Sequence, residues 1–135
     1  MTKSQRTNFA SFLAKLSATG VGENGLCGCA FVVLRDALEM TRPLLNRVAS
    51  RAQNGQDDEH GQRTTESLIV ADLLPAVNMW FFMAGNKIIE LSQKSADLFP
   101  ARVGAFGTLA QAERVVPEHG GFSPQRWLFW TKRLE

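Results

Sequence analysis

"TTESLIVADLLPAVNMWFFMAGNKIIELSQKS", Thr64 to Ser95, is the stretch on which the fold turns. From Leu68 to Ile89 apolar residues fall on nearly every side of a 3.6-residue period, with Thr64 or Thr65 as the cap. A helix of that kind has no broad face for water and belongs at the centre of a bundle. The run from Leu68 to Gly85 is also long enough to raise a membrane span. Asp72, Pro75 and Asn78 lie inside it, however, and an aspartate near a bilayer centre costs about 3 kcal/mol on insertion scales. The stretch therefore reads as a buried helix, and no membrane is expected.

Working outward toward the N-terminus, Phe9, Phe12, Leu13 and Leu16 recur at helical spacing, with Thr7 or Asn8 as a cap and Gly20 as a stop. After "GVGENG", Asn24 is placed to cap a second helix with the stripe Cys27, Ala30, Phe31, Leu34 and Leu38. That phase leaves Arg35, Asp36 and Glu39 toward solvent. Pro43 either kinks this helix or opens a third, carried on by Leu44, Leu45, Val48, Ala49 and Ala52. Residues 53–63 contain no apolar side chain and read as a mobile loop.

Toward the C-terminus, the prolines and glycines between Ala96 and Gly120 leave room for one short helix around Thr108 to Val115. Ser123 then caps a last helix that has Pro124 at its first position. Trp127, Trp130, Thr131 and Leu134 share one face of it, Arg126, Lys132 and Arg133 can reach water, and Leu128 and Phe129 turn partly away. Two indoles on one face most often dock a terminal helix into the body of a protein. No stretch sustains a period of two, and no repeat of solenoid length is visible. The expectation is an all-α fold: a single domain over residues 1–135, five or six helices around the long central one.

Composition agrees and excludes several functions. The chain has 135 residues, 44% hydrophobic and 21% charged, a balance that supports a folded core. A net charge of +2 from interspersed residues makes no footprint for nucleic acid. Cys27 and Cys29 are too few for a zinc knuckle and badly placed for a mutual disulfide, so they read as reduced thiols. Lys15 interrupts the only run resembling a signal peptide, which favours a cytoplasmic or intracellular protein. No cofactor, metal or catalytic set is expected.

Residues that could carry function remain. On the central helix Asp72, Met79, Met83 and Asn86 form one stripe, and with Trp80 and the terminal tryptophans they outline a possible inter-helix pocket for an apolar ligand. Trp127, Leu128, Phe129 and Trp130 form the docking or interaction face. His60 lies in the polar loop, and His119 beside Glu118 is the only pairing suggestive of acid–base chemistry.

Two segments, "LRDALE" (Leu34–Glu39) and "GFSPQRWLFWTKRLE" (Gly121–Glu135), resemble motifs of a family of fungal proteins grouped as a domain of unknown function. The matching positions are Leu34, Arg35, Ala37, Leu38, Glu39, Gly121, Phe122, Ser123, Arg126, Trp127 and Trp130. The resemblance implies a helical fold and a fungal origin; it names no catalytic residue. The functional expectation is a non-catalytic helical interaction module for a protein partner or for a second copy of itself. A small-molecule binder or small enzyme is the alternative, and a fungal effector acting on a host protein the third reading.

Overall fold

The computed structural model describes residues 1–43, 68–95, 100–113 and 120–135, and these are helical throughout their ordered elements. Six helical segments follow in order: α1 (Lys3–Ala18), α2 (Glu23–Leu38), α3 (Val70–Gln93), α4 (Ala101–Gly104), α5 (Thr108–Ala112) and α6 (Pro124–Leu134). The expected third helix, the loop at 53–63, Thr64 and Thr65 lie outside the described residues.

The long helix α3 is central, as its all-round apolar character predicts. Leu73, Ala76, Val77, Trp80, Ala84, Ile88 and Leu91 are buried along it, and α1, α2 and α6 all pack against it. It starts at Val70 rather than Thr65, with Ile69 as an extended N-cap that offers no side-chain bond. The start is held from outside the helix. The Val70 N–H donates to the Pro43 carbonyl at 3.0 Å, and Arg42 spans the junction, Nε to the Asp36 carbonyl at 2.8 Å and Nη1 to the Leu68 carbonyl at 3.1 Å.

Helix α1 begins five or six residues earlier than a cap at Thr7 or Asn8 would place it. Thr2 and Gln5 form a reciprocal capping box, the Gln5 N–H donating to Thr2 Oγ1 at 3.2 Å and the Thr2 N–H to Gln5 Oε1 at 2.8 Å. Its buried face is Ala10, Ala14 and Ser17, whereas Phe9 and Phe12 are 53% and 60% exposed. The apolar period was right and the phase was not. Alanines let two helix backbones approach closely, and against an α3 already dense with large side chains that fit wins over burying two rings.

Helix α2 presents Cys27, Ala30, Phe31, Leu34, Ala37 and Leu38 to the core, the expected stripe with one alanine added. Its N-cap is Gly22 in the left-handed region (φ 60°) rather than Asn24, which lies within the helix. With Gly20 at φ 83°, the turn uses glycine twice where a β-carbon would be strained. Neither cysteine is in a disulfide: Cys27 is buried with its sulfur 3.3 Å from Ser17 Oγ, and Cys29 is exposed.

Helix α6 starts as its sequence predicts, with Ser123 Oγ accepting from the Arg126 N–H at 3.1 Å and Pro124 at the first position. Its buried residues are Arg126, Phe129 and Trp130. Trp130 meets Phe31 and Phe122 edge-to-face, at centroid distances of 5.9 and 6.2 Å, and Phe31 meets Phe122 at 5.2 Å. This aromatic triad joins α2 to the C-terminal segment. Among the described residues no helix is long and apolar enough to cross a membrane.

Candidate functional site: a closed ion-pair cluster and an open groove

Glu39 and Arg126, both expected in water, are the charged pair at the centre of the molecule, each with a fully buried side chain. Glu39 is the C-cap of α2, where the chain leaves the helix and turns inward. Arg126 sits in the first turn of α6, on the same face as Phe129 and Trp130.

The hydrogen bonding between them is complete. Arg126 donates from Nε to Glu39 Oε1, and from Nη2 to Glu39 Oε2 at 2.9 Å and to the Ala105 carbonyl at 2.9 Å. Its Nη1 donates to the carbonyls of Gly104 at 2.9 Å and Gly121 at 3.1 Å. All five guanidinium N–H groups are thereby used. Glu39 Oε1 also accepts from Trp130 Nε1 at 2.8 Å, and Oε2 from the Gly107 N–H at 2.9 Å. Phe106 and Phe31 cover the guanidinium, with its carbon 3.9 and 4.5 Å from their ring centroids.

Glycine makes the approach possible. A β-carbon on Gly107 would lie 2.5 Å from the Glu39 carbonyl oxygen, and one on Gly104 would lie 3.2 Å from the Gly120 backbone. The Leu109 N–H donates to that same Glu39 carbonyl at 2.8 Å, so α5 is tied to the end of α2 by backbone as well as side chain. Chemically, the cluster has little to offer a substrate. Each carboxylate oxygen holds two donors, the guanidinium has no N–H to spare, and the pair is sealed from water. It is a fastener between α2, the segment around α4 and α5, and α6.

An open groove of about 690 Å³ lies elsewhere, between the end of α1, the middle of α3 and α6. Ser17 to Gly20 form one wall, and Phe81 to Lys87, Ile89 and Glu90 the other, with Trp127 entering from α6. Phe81 and Trp127 lie against each other at 5.1 Å with 30° between their planes. Phe82, 81% exposed, stands at the lip. At one end Glu90 is flanked by Lys94 and by Lys87 at 3.3 Å, and hydrogen bonding to Lys94 first, then Lys87, holds its carboxyl below the usual range. A smaller pocket of about 320 Å³ lies among Ala37, Leu38, Val70, Leu74, Asn78, Arg133 and Leu134.

The residues singled out from the sequence divide between these places. Met83, Asn86 and Trp127 come together at the groove. Asp72, half-buried in the first turn of α3, and Met79, half-buried against the core, do not line it. Trp80 is 1% exposed, and its indole N–H has no partner among the described residues. On α6, Phe129 and Trp130 are buried in the protein's own core, while Leu128 is 66% exposed. Among the described residues no three His, Cys, Asp or Glu side chains gather as a metal site would need. His60, Glu118 and His119 lie outside the described residues. Sequence reasoning missed Phe81, Phe82 and the whole Glu39–Arg126 cluster. The available signal was that Glu39 closes one recognisable motif and Arg126 lies inside the other.

Comparison with known proteins agrees with those motifs. A family described as "Protein of unknown function (DUF3632)" matches residues 1–134, so the chain belongs to it. A similar protein is the "Oxopyrrolidines biosynthesis cluster protein G" of Penicillium oxalicum, 32% identical over 135 residues. That alignment takes in 99% of this chain and 36% of the relative, so the chain spans about a third of that protein's length. No solved structure matches.

Proposed function

We propose that the chain is a helical interaction module whose binding surface is the groove between α1, α3 and α6, and that it takes a protein segment or a second copy of the chain. The observation that carries this reading is Phe82: a phenylalanine left 81% exposed at the lip of a groove that also holds Phe81 and Trp127. Aromatic side chains at a groove's edge are typical anchors of protein interfaces, because they bury much area for little lost freedom. Of the residues that carry the family resemblance, Glu39, Gly121, Arg126 and Trp130 are committed to the closed cluster, while Trp127 lines the groove.

A photo-crosslinking residue in place of Phe82, combined with light scattering on the purified chain, tests the proposal. Crosslinks to an identified protein or to a second chain, lost on Phe81→Ser, support it. A strictly monomeric protein that crosslinks to nothing counts against it.

A small-molecule ligand is the second reading. The groove's volume falls within the ordinary range of roughly 300–1,000 Å³ for ligand sites, and the Penicillium relative is named for a biosynthesis cluster. Native mass spectrometry of the purified chain distinguishes the two: a retained small molecule that Trp127→Ala releases favours the ligand.

A further inference from the structure

We infer that the outward face of α1 docks on an anionic phospholipid surface. On α1 the buried residues Ala10, Ala14 and Ser17 define the core side, and Phe9, Phe12 and Leu16 fall within about 60° of one another, centred about 140° away from it. Phe9 and Phe12 are 53% and 60% exposed, and Leu16 is half-buried. Val21, 57% exposed, follows just beyond the helix.

Charge borders this stripe on both sides. Lys15 lies about 60° beyond Phe12 and Arg6 about 60° beyond Phe9, while Lys3, exposed in the first turn, lies about 60° further round than Arg6. None of the three forms an ion pair among the described residues. Residues 1–22 hold these three basic side chains and no acidic one, whereas the remainder has twelve basic and thirteen acidic. The molecule's positive excess is therefore concentrated on one helix.

Rings pointing outward from a convex helix, flanked by cations, match a planar acidic interface. The phenylalanines enter the boundary between headgroups and acyl chains, and the lysines and arginine meet phosphates. A protein partner for two rings on a convex ridge would need a preformed cleft and matching acidic residues; a lipid surface supplies both the apolar layer and the negative charge without them. The contact is peripheral. It is distinct from the spanning helix that the sequence excluded and from the groove proposed above.

The test is flotation of the full chain with vesicles of phosphatidylcholine alone, and with vesicles in which about a quarter of the lipid is phosphatidylserine. Binding to the acidic vesicles only, weakening as salt rises, is the expected result. Phe9→Ser with Phe12→Ser should reduce it about tenfold or more with little change in the melting temperature, since more than half of each side chain is already exposed. Arg6→Glu with Lys15→Glu should reduce it similarly, and Val32→Ser on α2 should leave it unchanged. No flotation with acidic vesicles at low salt, or equal flotation of the Phe9/Phe12 variant, overturns the inference. So does a stable wild-type dimer that the same double variant dissolves, since α1 would then be covered by a second chain.

Discussion

Arg126 is the residue on which most of the structure's polar order converges. Burying an ion pair gives little net stability by itself, but leaving one member uncompensated typically costs about 3–5 kcal/mol. Here the guanidinium also satisfies the carbonyls of Gly104, Ala105 and Gly121, which no other described side chain reaches. Arg126→Lys keeps the charge but has three donors where five are needed. It should lose at least about 2 kcal/mol in urea unfolding, and a variant as stable as the wild type would refute the five-donor role. A paired comparison isolates the indole bond. Trp130→Phe strips a donor from Glu39, whereas Trp80→Phe removes an N–H with no partner among the described residues. The first should therefore be more destabilising by about 1–2 kcal/mol in equilibrium unfolding, and the reverse order would contradict the bonding described.

Among the elements, the ends of helices are set unequally. Helices α1 and α6 have side-chain caps in Thr2 and Ser123; α2 and α3 have none and rely on the Gly20–Gly22 turn and on the Pro43 carbonyl. Thr2→Ala should cost about 0.5–1 kcal/mol, seen as fraying of an exposed first turn. Ser123→Ala should cost more, about 1–2 kcal/mol, because Ser123 is buried and the N–H it caps is that of Arg126. Thermal melts followed by circular dichroism rank the two, and an equal effect would show that the ion pair does not depend on the cap. At the groove's end, the Glu90 carboxyl is held below its ordinary range, so its attraction to Lys94 and Lys87 persists above the unfolded value and fades as pH falls through the folded one. Exposed as it is, that contact shapes the groove's rim more than it stabilises the fold.

At the scale of the molecule, α6 and the segment before it act as a wedge. Phe122, Phe129 and Trp130 fill space against α2 and α3, and Arg126 closes the cluster behind them. Deleting residues 121–135 removes three buried aromatic rings and leaves Glu39 charged among apolar neighbours. Losses of roughly 3–5 kcal/mol per buried ring are comparable, in sum, with a small domain's whole stability. The truncated chain should lose its near-ultraviolet circular dichroism and bind a hydrophobic dye, while keeping part of its helical signal. A cooperative, native-like melt from it would show that the wedge is dispensable.

The sequence by itself determined the class of fold and the rank of its parts. An all-round apolar helix has to be central, a Ser-Pro pair has to open a helix, and the stripe on α2 has one side fit for burial; each follows from periodicity and local backbone chemistry. It did not determine the phase of α1, because alanines and phenylalanines are both apolar and only close packing against α3 selects between them. Nor did it place Glu39 and Arg126, since a charged side chain at a helix end reads as solvated until a partner distant in sequence and five aligned polar groups compensate its burial. The groove has the same origin, in the meeting of α1, α3 and α6. Local signals record what a residue prefers on its own; the tertiary structure decided which of those preferences could be satisfied together.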